Sequence, residues 1–166
     1  MAVEFSDFYR TEYPRLAGSL SLASNDELLA EELAQETFTR ALHHWERVRV
    51  LDRPSGWLYT TGFNLLRKQW KRSQIRDAVR SPSTTGPNET ELSARMDLAN
   101  ALALLPATQR TAVVLRHILD YSTDEVSAML ELNPDAVRSL LHRGIKTLRT
   151  TTGLSLADEP GKEAHL

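Results

Sequence analysis

The chain has 166 residues, of which 41% are hydrophobic and none is cysteine, and its formal net charge is -2. This length allows one ordinary domain or two small ones, and the lack of cysteine excludes disulfides and thiolate metal sites. The acidic N-terminal residues Glu4 and Asp7, and the absence of any apolar run near 18 residues, argue against a signal peptide and a membrane span. We therefore expect a cytoplasmic protein with no membrane insertion.

The small net charge conceals a strong separation of charge along the chain. Residues 1–50 carry a net charge of -4, whereas residues 51–80 carry +5. A basic segment of this kind predicts local contact with an anionic partner, although the whole chain is not a generally basic nucleic-acid binder.

The first part of the chain shows helical spacing of apolar residues. A first helix is predicted over residues 5–20, where Pro14 is expected to kink or interrupt it. Ser24 and Glu27 form a capping-box pattern, which predicts the start of a second helix whose apolar stripe reaches Trp45. No segment alternates in the manner of a strand.

A third helix and a linker follow. The helix is predicted from Pro54, a residue favoured in a first turn, to about Arg80. Residues 81–91 read SPSTTGPNETE and contain no aliphatic or aromatic side chain. Such a segment predicts a flexible linker with an end-to-end distance of roughly 18 Å. We therefore predict two small helical domains, at residues 1–80 and 92–152.

Beyond the linker, helical patterns cover residues 92–105 and 108–119, with Pro106 between them. Residues 153–166 are mostly polar and include a proline and a glycine, so they are expected to form a frayed tail.

The end of the second domain has the signals of a helix-turn-helix. Ser122 and Glu125 form another capping-box pattern, a turn is predicted at residues 131–133, and Asn133 and Pro134 are favourable N-cap and first-turn residues for a last helix. The apolar residues of this last helix, expected to face inward, are Val137, Leu141, Ile145 and Leu148.

The outward residues of the last helix suit DNA. In a helix-turn-helix the second helix enters the major groove, where cations meet phosphates and polar side chains meet base edges. The alternative is an ordinary solvated surface, but the caps, the turn and the cations occur together. The outward candidates are Arg138, Ser139, His142, Arg143 and Lys146.

The third helix of the first domain combines cations with aromatic residues. Cations on one helix face can track a phosphate backbone, and exposed aromatic rings can stack on unpaired bases. For the aromatic residues, a buried core stripe is the favoured interpretation. The polar residues are Asn64, Arg67, Lys68, Lys71, Arg72 and Arg76, and the apolar ones are Tyr59, Phe63, Leu66 and Trp70.

The second helix has an acidic and amide face, consisting of Glu31, Glu32, Gln35 and Glu36. No histidine or third carboxylate stands at ligand spacing, which leaves either a solvated face or a protein-docking surface. Adjacent residues on a helix point about 100° apart, so His43 and His44 are not expected to share a metal ion. The sequence has no glycine-rich phosphate loop, nucleophile elbow or zinc motif. We therefore predict no enzyme activity, no metal and no cofactor.

Taken together, these stretches resemble the extracytoplasmic-function (ECF) sigma factors of bacterial RNA polymerase, and the resemblance covers nearly the whole chain. It implies an all-α fold with two small helical domains, the second containing a helix-turn-helix. The stretches that carry the resemblance are AEELAQETFTRALHHW at residues 30–45, RPSGWLYTTGFNLLRKQWKR at 53–72, LPATQRTAVVLRHILDYSTDEVSAML at 105–130 and AVRSLLHRGIKTLR at 136–149.

The resemblance also implies partners and roles. The partners would be core RNA polymerase and promoter DNA, and an anti-sigma factor is a further candidate. The polymerase-docking residues would be Glu32, Gln35, Glu36 and Phe38. At the minus-ten element, Arg53 and Asn64 would lie at a flipped-base pocket while phosphates would be held by Arg67, Lys68, Lys71 and Arg72. The minus-thirty-five element would be contacted by Arg138, Ser139, His142, Arg143 and Lys146.

Some positions depart from the family pattern. Gly62 and Phe63 stand where alanine and arginine are common, Ala136 replaces a frequent threonine and Leu140 a frequent arginine. Glu131 occupies a turn position often held by glycine, where a left-handed backbone would cost roughly 1 kcal/mol. These departures prevent a prediction of the promoter sequence.

Two other functions remain open from the residues alone. One is a helix-turn-helix regulator that binds duplex DNA without recruiting polymerase. The other is a helical adaptor that binds only proteins.

Overall fold

The computed structural model describes residues 3–76 and 93–152. Within these ranges the chain forms helices and no strand, as the all-α prediction requires. None of these helices has the length and apolar character needed to cross a membrane. The helices are α1 (Phe5–Ser24), α2 (Glu27–His43), α3 (Trp45–Val48), α4 (Pro54–Arg76), α5 (Ser93–Ala103), α6 (Ala107–Val113), α7 (Thr123–Leu130) and α8 (Pro134–Thr152), and a π-helical segment (Val114–Ile118) continues α6.

The N-terminal domain is built from α1 to α4, with α1, α2 and α4 packed against one another. Its core contains large apolar side chains that recur every three or four residues, as in any amphipathic helix. Those that are almost fully buried include Leu16, Leu20, Phe38, Leu58, Phe63 and Leu66. This burial fixes which face of each helix points to solvent.

The start of α2 differs from its prediction. Asp26 is the N-cap, and its side chain accepts a hydrogen bond from the Leu29 N–H at 3.1 Å. Ser24 instead ends α1, and Asn25 follows in a left-handed conformation that asparagine tolerates well. The predicted capping box of Ser24 and Glu27 is therefore wrong, because α1 is one turn longer than its apolar pattern.

Two further expectations need correction. Pro14 lies inside α1 and does not interrupt it, so the expected interruption is wrong, whereas the expected kink stays a prediction. Trp45 does not belong to α2, which ends at His43; Trp45 opens the short helix α3 and its ring packs on Phe5 and Phe8.

The C-terminal domain centres on the packing of α6 against α8. Gly144 permits the close approach, because a Cβ at this position would lie 2.9 Å from Cγ2 of the buried Val113. Val137 and Leu148 are buried, and Leu141 and Ile145 are half-buried against the core. The inward stripe predicted for the last helix is thus confirmed.

The predicted linker (81–91), the domain limits on either side of it and the tail (153–166) lie outside the described residues.

Two glycine-to-alanine substitutions, one in each domain, test how closely the helices pack at these positions. Gly144→Ala should destabilise the protein by about 1–3 kcal/mol, because Val113 is branched and buried and has little freedom to move. Gly18→Ala should stabilise it by about 0.5–1 kcal/mol, because Gly18 lies within α1 with no atom near the added methyl group. Urea unfolding followed by helical circular dichroism measures both, and a higher midpoint for Gly144→Ala would contradict the close-approach argument.

Candidate nucleic-acid and polymerase-binding surfaces

The helix-turn-helix is formed by α7, a three-residue turn and α8. Ser122 accepts a hydrogen bond from the Glu125 N–H at 3.1 Å, and Glu125 accepts one from the Ser122 N–H at 2.7 Å, so the predicted capping box is present. Asn133 Oδ1 accepts a hydrogen bond from the Ala136 N–H at 2.8 Å and caps α8. Glu131 has φ of 53°, the left-handed conformation that its position requires.

The α8 basic face consists of Arg138, Ser139, His142, Arg143 and Lys146, and every one of these residues is exposed. Arg138 pairs with Asp135 within the same helix at 2.6 Å, and the pair stays largely in solvent. Burial of the cations would have excluded contact with DNA, so their exposure keeps that function available.

The α4 basic face consists of Arg67, Lys68, Lys71 and Arg72. Lys68, Lys71 and Arg72 are exposed, whereas the Arg67 side chain is only 15% exposed and its Nη1 lies 2.8 Å from Glu131 Oε2. Arg76 ends α4, and its side chain lies outside the described part.

The aromatic residues of α4 belong mainly to the core. Tyr59, Phe63 and Leu66 are buried, and Trp70 is half-buried against them. The core-stripe interpretation is confirmed for the buried three, which leaves no stack of exposed rings for unpaired bases.

Arg53 and Asn64 line one cleft, of about 620 Å³, between the two domains. Its N-terminal wall comes from α1, from Arg53 and from the first part of α4. Its C-terminal wall comes from the segment before α7 and from α7 itself. Its lining includes Arg53, Tyr59, Asn64, Tyr121, Glu125 and Met129.

The α2 acidic face consists of Glu31, Glu32, Gln35 and Glu36, all exposed. Glu36 pairs with Arg40 at 2.9 Å, and Gln35 Nε2 donates to the Tyr13 hydroxyl at 3.3 Å. These contacts orient the face without removing it from solvent.

Phe38 requires a correction. Its side chain is 2% exposed, and its ring packs among Phe5, Phe8, Tyr9 and Tyr13. It therefore lies beneath the expected docking surface and holds α2 in place, instead of presenting a ring to a partner.

Two residues of this region were missed by the sequence analysis. Arg110 is buried, and its Nε donates to the Ala23 carbonyl at 2.7 Å. Glu131 was noted only for its backbone, yet hydrogen bonding and charge from Arg67, with Lys71 and Lys68 nearby, lower the pKa of its carboxyl. The only sequence signal for Glu131 was that an acidic residue stands at a turn position where glycine is common.

The described residues bring together no group of three or more histidine, aspartate or glutamate side chains that would hold a metal ion.

The position of Tyr59 in the cleft wall leads to a prediction about the ionisation of its hydroxyl group. Burial, and secondarily the charges of Glu12 and Tyr121, raise the pKa of Tyr59 to about 12. Unfolded tyrosine ionises near pH 10, so the contribution of Tyr59 to stability should be complete below about pH 10 and be lost as pH rises to about 12. Ultraviolet titration should show a phenolate step near pH 12 that Tyr59→Phe abolishes. Loss of an ordinary step near pH 10 in this variant would refute the assignment.

The chain matches known families over both domains. The family described as Sigma-70 region 2 matches residues 8–76, and the one described as Sigma-70, region 4 matches residues 95–148. The RNA polymerase sigma factor CarQ of Myxococcus xanthus is 31% identical over 155 residues, which cover 90% of this chain and 89% of CarQ. The ECF RNA polymerase sigma factor SigL of Mycobacterium tuberculosis is 30% identical over 136 residues, or 77% of each chain.

Solved structures share the fold. The sigma factor RpoE of Bartonella quintana, crystallised with the anti-sigma factor NepR, superposes with a TM-score of 0.69 at 22% identity and covers 91% of this chain and 98% of that chain. CnrH, in complex with the cytosolic domain of CnrY, gives a TM-score of 0.57 at 24% identity, with 88% and 85% covered. With a helix-turn-helix beside a basic helix, and with relatives of this similarity over most of its length, the chain belongs to the extracytoplasmic-function sigma factors, which bind core RNA polymerase and recognise promoter DNA.

Proposed function

We propose that this sigma factor divides transcription initiation among three surfaces. The α2 acidic face docks on core RNA polymerase, the α4 basic face with Arg53 and Asn64 holds the opened minus-ten strand, and the α8 basic face holds the minus-thirty-five element. The observation that carries this proposal is that most polar residues of these surfaces are exposed and lie opposite buried apolar stripes, whereas Asn64 and Arg67 are half-buried. None of these steps requires catalysis by the chain.

The minus-ten role rests on cations and on the cleft. Because Tyr59 and Phe63 are buried, base stacking on them is not part of the proposal. Lys68 and Lys71 offer exposed ammonium groups to the strand backbone, while Arg53 and Asn64 line a concave site where a flipped base can be received. The cost of unstacking a base, a few kcal/mol, is offset by these contacts.

An anti-sigma factor is a candidate regulatory partner. One protein with the same fold, RpoE of Bartonella quintana, was solved in complex with the anti-sigma factor NepR. Co-purification of the chain from its own cells tests this proposal.

The docking surface is tested by a double substitution. Gln35→Ala with Glu36→Ala should weaken binding to core polymerase about tenfold or more, as expected when central interface contacts are lost. Binding is measured by fluorescence anisotropy, and promoter-directed transcription should fall in parallel. Asp97→Ala with Asn100→Ala is the matched control, because it removes an exposed acid and an exposed amide from α5. Unchanged binding by the α2 variant would refute the docking proposal.

The α8 basic face is tested by salt dependence. Each phosphate contact contributes a slope of roughly -0.9 to the plot of log K against log salt. Arg143→Ala with Lys146→Ala should therefore flatten the slope by about 2 on duplex DNA from a promoter mapped with the holoenzyme. Arg10→Ala with Arg47→Ala removes two exposed cations from the N-terminal domain as a control. An unchanged slope in the α8 variant would refute the assignment of Arg143 and Lys146 to phosphate contacts.

A further inference from the structure

The first turn of α8 carries an acid beside a surface that is otherwise basic. Asp135 is the only aspartate or glutamate in the sequence of this helix, which also has four lysine and arginine residues. The side chain of Asp135 is 94% exposed, so it has no role in the core. A carboxylate next to a phosphate-binding surface opposes the attraction of that surface to any DNA sequence. What it can improve is the choice between sequences, because repulsive elements contribute to specificity.

Asp135 and Arg138 form an ion pair along the helix surface. Arg138 Nη1 donates a hydrogen bond to Asp135 Oδ1 at 2.6 Å. Side chains of a helix lean towards its N-terminus, and residues three apart are neighbours on its surface. The contact therefore holds the guanidinium group of Arg138 over the first turn of α8.

The N-terminal part of a recognition helix is the part that contacts base edges in the major groove. In this part of α8 several side chains have little capacity for such contacts. Ala136 has no polar side-chain atom, Leu140 is half-buried against the core, and Asn133 caps the helix through Oδ1. Base reading by this end of the helix therefore depends mainly on Arg138 and Ser139.

The guanidinium group of Arg138 can be paired and still bind a base. Its planar fork carries N–H donors on Nε, Nη1 and Nη2, and the contact with Asp135 uses Nη1. Nε and Nη2 form another edge of the fork, which stays available for two acceptors. Guanine offers such acceptors, O6 and N7, in the major groove, and arginine is its usual bidentate partner.

A guanidinium group with a fixed direction discriminates between bases better than a mobile one. An arginine side chain has many rotamers, and one without a carboxylate partner can turn to a phosphate, which carries no sequence information. Asp135 restricts this freedom before DNA arrives. Arg138 is 62% exposed in the pair, so the pair is weak in water, but it becomes stronger where a DNA groove excludes water.

We propose that Asp135 is a positioning residue that directs Arg138 at a guanine of the minus-thirty-five element and thereby sets the sequence preference of α8. The inference rests on the proposed DNA role of the α8 basic face. It divides the work within that face, because Arg143 and Lys146 supply affinity through phosphates whereas the pair of Asp135 and Arg138 supplies selectivity.

Alanine at position 135 tests the proposal, since it removes the charge and is well tolerated in a helix. Holoenzyme containing the variant is tested for its affinity, by competition fluorescence anisotropy, for duplexes of a mapped promoter with each single base-pair change in the minus-thirty-five element. Arg138→Ala identifies the base pair at which the preference for guanine disappears. At that pair Asp135→Ala should lower the discrimination roughly 2- to 10-fold. Affinity for duplexes without this guanine should not fall, because a negative charge has been removed.

Asp124→Ala is the matched control. Asp124 is an exposed acid at the second position of α7, as Asp135 is at the second position of α8. This control should discriminate between base pairs as the wild type does. Combining Asp135→Ala with Arg138→Ala then separates positioning from direct contact with a base. If Asp135 acts through Arg138, the double variant should discriminate no less than Arg138→Ala alone.

Equal discrimination by Asp135→Ala and Asp124→Ala overturns the positioning proposal. A further loss in the double variant also overturns it, since Asp135 would then contact the base itself. The same holds if Arg138→Ala keeps the base preferences of the wild type.

The salt dependence of Arg143→Ala with Lys146→Ala distinguishes these results from failure of the proposed function. If that variant flattens the slope while Asp135→Ala discriminates as its control does, only the positioning proposal is wrong. If the slope and the discrimination are both unchanged, the assignment of α8 to the minus-thirty-five element is wrong, and the positioning proposal falls with it.

Discussion

Burial of one apolar stripe per helix is the constraint on which the rest of this structure depends. Each large side chain taken fully out of water contributes about 1.5–3 kcal/mol, and α4 buries Leu58, Phe63 and Leu66 in this way. With that face fixed, helical geometry leaves Lys68, Lys71 and Arg72, which follow these residues, facing solvent. The functional surfaces are therefore consequences of core formation, since α2 and α8 follow the same rule.

Local features of the fold were predictable because their partners stand three or four residues apart. The capping box of Ser122 and Glu125 and the Asn133 cap depend only on such neighbours, and both are present. The failure at Ser24 has a local cause as well. Asn25 adopts a left-handed conformation that ends α1, and Asp26 then offers a carboxylate to the new helix. Two competing caps within three residues cannot be ranked by pattern alone.

Contacts between distant segments were beyond prediction from the sequence. Arg110 and Ala23 are 87 residues apart, and no periodicity links them. Phe38 illustrates the same limit within a motif, since its place beside exposed Gln35 and Glu36 gives no indication that four aromatic residues of α1 enclose its ring. The candidate surfaces were predictable as sets of residues, whereas the partners that these residues meet depend on packing.

The ion pairs across the cleft are only partly shielded from solvent. Glu131 remains 67% exposed in its pair with Arg67, and Arg53 remains 80% exposed in its pair with Glu125. Pairs in this setting are screened by water and salt, so they contribute little to holding the two domains together.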